Sequence, residues 1–528
     1  MPWNPNQNQN QNYNQSPQPG ASWQQNFGPR AGAPQGSVPQ GTPKGAVQQG
    51  GAQPSGMQPG AMRPTAQSQA QTAPGGSQRG RNSKSEVING NCLQNVVPEL
   101  PNEPCPVYLA GKSGYGQWAR VGLTKSILSK HIMLLGGIGT GKTNAFFQIV
   151  DQLDHQIRPE DVVIIFDTKG DFYQEFYKPG DVVISNDSTA SDQLGRKNYW
   201  NIFNEVSTGS RQYESVLEIS KSLFKEACEN TNQIFFPNAA RDIFMACMLH
   251  FFRAIPAKDR TNRNLVNYIN KSTSKDLREM LMSYDDLRAM SSYISKDDSA
   301  QTQGVLSELQ QVVRNIFVGN FARTGTLGVR SLVREKAGRK IFIEYDLSLG
   351  EMLTPIYSLM FDMAIKEALG RTRSEGNVYF ITDEFRLLPN LTHIDDAVNF
   401  GRSLGVKFMI GIQNVEQIYD NYGEQRARSI MSGFSTGMFF RVTDSASREY
   451  MKDMFGSNRK LEAYMPIVQS RGMVEEMREA TVVEDWDITN LSTGQAIIGL
   501  PGKEPFLYQF DLYVPRKERK PQMGGMPR

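Results

Sequence analysis

The chain has 528 residues, more than one ordinary domain needs, and 57 Lys and Arg against 54 Asp and Glu leave a net charge of +3. Its four cysteines (Cys92, Cys105, Cys228, Cys247) form no CxxC pair and there are only four histidines, which argues against a zinc site and for reduced thiols. No run reaches the ~18 apolar residues of a membrane span and the start is polar, so no intrinsic transmembrane segment or secretory signal is expected, and the predicted location is the cytoplasm.

Residues 1–85 are rich in Gln, Asn, Pro, Gly and Ser, and hold six basic residues and no acid. So few apolar side chains cannot offset the entropy of ordering the backbone, so this stretch is predicted to be a disordered arm. The arm supplies the whole positive balance: from Glu86 onward 51 basic residues face 54 acidic ones. Bulk charge therefore leaves no conventional nucleic-acid footprint on the body of the chain.

Prolines at 98, 101, 104 and 106 and a short VYLAG run predict an extended lead-in over 86–130. Residues 131–135 (HIMLL) read as a buried strand, and 144–153 as a helix with a broad apolar face. Residues 161–167 (DVVIIFD) form a continuous β-branched run suited to a parallel strand covered on both faces, giving a strand–helix–strand unit. A short strand is expected at 181–185. From 206 to 320 strand-like runs vanish, 14 basic and 14 acidic residues balance, and helices are predicted at 214–225, 238–253 and around 305–316. Strands return at 340–345, 377–382, 406–412 and 437–442. The expected organisation is an α/β nucleotide-binding domain in two parts, 86–205 and 321–515. An all-α domain, 206–320, is inserted between them, and a frayed basic tail, 516–528, follows.

Between the strand at 131–135 and the following helix lies Gly136-Gly137-Ile138-Gly139-Thr140-Gly141-Lys142-Thr143, which fits GxxxxGK[ST]. Glycines let successive amides curl around one anion, and the helix that follows adds its free N–H groups, beginning with those of Lys142, Thr143 and Asn144. Lys142 would reach the β- and γ-phosphates of ATP and Thr143 would offer its hydroxyl to Mg²⁺. Two strands end in an acid able to complete the Mg²⁺ shell: Asp167 in FDTKGDF and Asp383 in ITDEF. Asp383 is favoured because Glu384 beside it can polarise the attacking water. Asp167 and Lys169 are expected to border the site, since ligands gather at the carboxyl ends of such strands.

Taken together, GGIGTGKT (136–143), FDTKGDF (166–172), YWNIF (199–203), FFPNAARD (235–242), ITDEF (381–385), GRSLGVKFMIGIQ (401–413) and GLPGKEPF (499–506) resemble the type IV secretion coupling proteins. These form the VirD4/TraD/TraG group of the FtsK/HerA class of P-loop ATPases. The resemblance runs over roughly 105–515. It implies a RecA-like domain with a mostly parallel central sheet, an inserted all-α domain and a hexameric ring. It further implies that Gln413 senses the γ-phosphate and that Arg402 is an arginine finger acting on a neighbour's site, with Arg441 in reserve. The bland alternatives are a satisfied polar strand end for Gln413 and a surface helix arginine for Arg402. The implied activity is a motor that moves DNA, single- or double-stranded and largely regardless of sequence, from a relaxase complex to a type IV secretion apparatus. Most members begin with two membrane-spanning helices, where this chain has its polar arm, so contact with the inner face of the membrane would come through partners. A soluble HerA-like translocase and a nucleotide-gated adaptor for protein cargo remain open alternatives.

Overall fold

The computed structural model describes residues 84–186, 198–370, 376–464 and 474–519; the arm as far as residue 83 and the tail beyond 519 lie outside them. The described residues include fourteen strands: β1 Lys84–Asn89, β2 Val107–Ser113, β3 Trp118–Leu123, β4 Ile132–Leu135, β5 Val162–Asp167, β6 Val182–Ile184, β7 Arg339–Glu344, β8 Val378–Thr382, β9 Val406–Ile412, β10 Thr436–Phe439, β11 Ser457–Tyr464, β12 Val474–Thr481, β13 Gln495–Gly499 and β14 Phe506–Phe510. Eleven of them make one sheet in the order β3-β2-β14-β13-β10-β4-β9-β8-β5-β7-β6.

From β10 to β6 every neighbouring pair is parallel. From β10 back to β3 every pair is antiparallel. The fold is thus mixed α/β with a large, mostly parallel sheet, as the apolar runs predict. Every residue of β5, β8 and β9 is buried, because both faces of the sheet are covered. Successive residues of β4 serve opposite cores: Ile132 and Leu134 pack with Phe146 and Ile149 of the helix Lys142–Asp154, whereas Met133 and Leu135 join the core on the other face.

Between 206 and 320 the described structure is helical, with Gln212–Leu223, Lys225–Glu229, Phe235–Ala254, Asn262–Lys271, Ser274–Met282 and Ala300–Ile316. This segment leaves the sheet after β6 and returns to it before β7. Its Phe244, Val305 and Leu309 share one continuous apolar core with Phe361 of the helix Gly350–Leu369 and with β8 and β9. The described residues accordingly form one compact unit.

Three local expectations need correction. The lead-in carries more strand than the VYLAG run alone: that run is β2, which forms an antiparallel hairpin with β3, and β1 begins at Lys84, inside the stretch assigned to the arm. β1, β11 and β12 build a second, three-stranded antiparallel sheet that the sequence did not suggest. The start of the basic tail is anchored: Arg516 bonds Asp151 at 2.8 Å and Asp154 at 2.8 Å, and Arg519 pairs with Asp151 at 2.8 Å.

Candidate nucleotide site

The strand order sets the site. β9 lies between β4 and β8, so three parallel strands deliver the glycine loop, Gln413 and the Asp383–Glu384 pair to one edge of the sheet. β9 can pass this close because of Gly411: a Cβ there would stand 2.4 Å from the carbonyl oxygen of Asp383.

The loop is held by its neighbours. Gly136 N–H donates to Ile412 O at 3.1 Å and Gly137 N–H to Arg441 O at 2.9 Å. Thr140 is buried, its hydroxyl donates to Gly137 O at 2.8 Å, and its carbonyl accepts from Gly494 N–H at 2.8 Å. Gly141 adopts φ 113°, a left-handed conformation that turns the chain into the helix Lys142–Asp154. No side chain caps that helix and no acid occupies its first turn, so its leading amides and positive dipole end stay available to an anion. Gly139 is exposed with φ 71°, and Ile138 is 85% exposed at the tip.

Lys142 folds back on the loop, its Nζ donating to Gly136 O at 2.5 Å and Gly137 O at 3.1 Å. Burial pulls its pKa down, opposed by the charges of Asp383 and Glu384 and reinforced by Lys169. The hydroxyl of Thr143 donates to Asp383 Oδ2 at 2.5 Å. The other oxygen, Asp383 Oδ1, is buried with no partner. Burial raises the pKa of Asp383, against the pull of Thr143 and Lys142. A Thr hydroxyl, a carboxylate with one unspent buried oxygen and a nearby ammonium are a donor set suited to Mg²⁺ beside a polyphosphate, since Mg²⁺ takes oxygen ligands and keeps several waters. Glu384 is oriented from both sides: Gln413 Nε2 donates to its Oε2 at 2.8 Å and Arg386 Nε to its Oε1 at 3.0 Å.

Other candidates are placed elsewhere. Asp167 is spent on its own turn, with Oδ2 accepting from Tyr173 N–H at 2.8 Å and Oδ1 from Lys169 N–H at 3.3 Å. Lys169 is exposed, and its charge reaches both Lys142 and Asp383. The Asn144 side chain grips the C-terminal segment, donating to Asp511 O at 2.9 Å and accepting from Tyr513 N–H at 2.8 Å, which leaves only its backbone amide for phosphate. Arg402 is exposed in the turn Gly401–Leu404 that precedes β9, at the opposite edge of the sheet from Gln413. The seven residues of β9 put about 20 Å between them, so Arg402 does not join the site of its own chain. Arg441, exposed after β10, is on the loop's edge. The sequence reading missed Arg386; a base two residues beyond the acid pair, in DEFR, was the available signal.

The fold and the loop define a P-loop nucleotide-binding protein. Residues 116–508 match the family model for the type IV secretion-system coupling protein DNA-binding domain, and the chain belongs to that family. The coupling protein TraD of Escherichia coli (strain K12) is 24% identical over 448 residues, covering 81% of this chain and 59% of TraD, so the chain spans less than two thirds of that relative. Among solved structures, the plasmid coupling protein TrwB with a non-hydrolysable ATP analogue superposes with a TM-score of 0.64 at 20% identity, over 84% of this chain and 98% of TrwB. TrwB with ADP and Mg²⁺ gives 0.62 at 19% identity, over 84% and 99%. These likenesses show the shared fold.

Proposed function

We propose that this chain is an ATP-hydrolysing motor that drives DNA, delivered as a relaxase complex, into a type IV secretion apparatus. The observation that carries the reading is the convergence of Thr143 on Asp383 and of Gln413 on Glu384 at the mouth of the glycine loop. Lys142 would release the loop carbonyls and take the β- and γ-phosphates. Thr143 and Asp383 would hold Mg²⁺, which neutralises phosphate charge when bound. Glu384, held by Gln413 and Arg386, would accept a proton from the attacking water. Gln413 touches Glu384 directly and so is well placed to relay the presence of the γ-phosphate.

Arg402, remote from its own site, would serve the site of the next copy in a hexameric ring, where a planar guanidinium can spread over transition-state phosphate oxygens. DNA would be gripped through its phosphates with little sequence preference. The helical segment 206–320 would act as an inserted domain that receives the substrate. Family membership favours this reading over the HerA-like alternative. The chain would work in the cytoplasm and meet the membrane through secretion partners.

The test is Mg²⁺-dependent ATP turnover measured with and without single- and double-stranded DNA, beside Glu384→Gln. DNA should stimulate the wild type severalfold, and the variant should bind ATP but turn it over about a hundredfold or more slowly. Turnover indifferent to DNA would favour the cargo adaptor instead, and full activity in Glu384→Gln would remove the assigned chemistry.

A further inference from the structure

Two contiguous hollows of about 750 and 840 Å³ lie between the helical segment and the α/β core, sharing Glu226, Asn230, Leu347, Glu351 and Pro355 in their walls. One wall comes from the helices Lys225–Glu229 and Ala300–Ile316, the other from the loop after β7 and the first turns of Gly350–Leu369. We propose that this cleft receives a basic, apolar peptide segment of a protein partner, and that Arg386 passes its occupation to Glu384.

The lining has a definite chemistry. Leu347 is 73% exposed and Leu349 38% exposed, two bare leucines on one loop. Three carboxylates, Glu226, Glu308 and Glu351, line the cleft and enter no ion pair among the described residues. The two cations present are already engaged: Lys225 faces Glu229 at 3.9 Å, and Arg386 bonds Glu384. Pro355 sits inside the helix Gly350–Leu369 and has no N–H, so the carbonyl of Glu351 lacks its usual intrahelical donor. Bare leucines and uncompensated carboxylates match lysine- or arginine-bearing apolar peptide and repel nucleic acid.

The link to turnover is one side chain. Arg386 lines the cleft while its Nε donates to Glu384 Oε1 at 3.0 Å. Its backbone is pinned, the carbonyl accepting from Asn421 Nδ2 at 2.6 Å, but 43% of its side chain is exposed. A cationic peptide that engages the cleft carboxylates brings like charge beside this guanidinium and alters its hold on Glu384. This second half rests on the proposed role of Glu384; the peptide site itself does not.

The experiment uses the full chain and a fluorescein-labelled twelve-residue peptide of alternating Lys and Leu, with Asp/Leu and all-Lys peptides beside it, read by anisotropy. Saturable binding of the Lys/Leu peptide at one per chain is expected, with none of the Asp/Leu peptide. Glu226→Lys/Glu351→Lys should weaken it at least tenfold and Leu347→Ser severalfold, with circular dichroism unchanged in both and basal ATP turnover unchanged in Leu347→Ser. Saturating peptide should change wild-type turnover at least twofold, and Arg386→Ala should keep the affinity within threefold while losing that response. Equal affinity in wild type and the charge-reversal variant overturns the site, as does an all-Lys peptide that binds as tightly as Lys/Leu. Absence of peptide binding with a changed oligomeric mass in Leu347→Ser would mean that a second copy covers the cleft, and overturns it too. If Glu384→Gln keeps full turnover while the binding results hold, the assigned chemistry fails and the peptide site stands.

Discussion

The two edges of the parallel sheet differ in kind. At the carboxyl edge Thr143 bonds Asp383, Gln413 bonds Glu384, and Lys142 lies buried against the carbonyls of the glycine loop. At the amino edge Arg402 stands exposed, with no ion pair among the described residues. One segment joins them, running from Glu384 to Arg402 and tied midway, where His393 meets Glu218 of the helical segment at 2.7 Å. The proposed phosphate site, crowded with acids, at one edge and the bare Arg402 at the other are too far apart to meet within one chain. They can do so head to tail between copies, the arrangement that closes into rings.

The largest expected effect tests the carboxyl edge alone. Lys142→Ala should lower ATP turnover at least about a thousandfold; wild-type turnover would break the comparison at its stronger end. Arg402→Ala should slow turnover by about the same factor while leaving nucleotide affinity within a few-fold. The two variants also sharpen each other, because each keeps the edge the other has lost. Mixing them should restore measurable turnover above either alone, and a mixture that stays dead means the edges do not meet between copies.

Smaller effects probe what holds each edge in place. Gly411→Ala would drive a methyl against the Asp383 carbonyl, costing about 1–3 kcal/mol and weakening Mg²⁺-dependent ATP binding about tenfold, as titration would show. The joining segment gives a pH signature. The hydrogen bond to Glu218 raises the pKa of His393, and hydrogen bonds from His393 and Lys366 lower that of Glu218 despite burial. A raised histidine stabilises the fold fully below its unfolded pKa of about 6.5 and loses that contribution as pH rises through the folded value. Thermal melts from pH 6 to 9 should show wild type losing about 1–2 °C more than His393→Gln; parallel curves would mean that the tie carries no charge.

Legibility followed apolar continuity. The central parallel strands announced themselves because burial on both faces demands unbroken runs such as VVIIFD, VYFIT and VKFMIGI. β11 and β12 did not, because SNRKLEAY and VEEMREAT lack such a run and draw on polar contacts such as Lys460–Glu484 at 3.1 Å. The glycine loop and the acid pair were readable as local patterns whose chemistry needs adjacent residues. Arg386 and the grip of Asn144 on Tyr513 were not, since each partnership exists only after the chain has folded. The basic tail misled for a related reason: charge suggested fraying, but Asp151 and Asp154 sit where Arg516 and Arg519 arrive.

The glycine loop is also stitched to residues synthesised long after it. Gly494 backs Thr140 and crowds Gly141, while Asp511 and Tyr513 clasp Asn144. A nascent chain that has passed the glycine loop must therefore wait for some 350 to 370 further residues to leave the ribosome before the loop gains its support. Under the proposed function, ATP would then be a ligand for the completed fold in preference to its precursors, adding to the stability of finished chains.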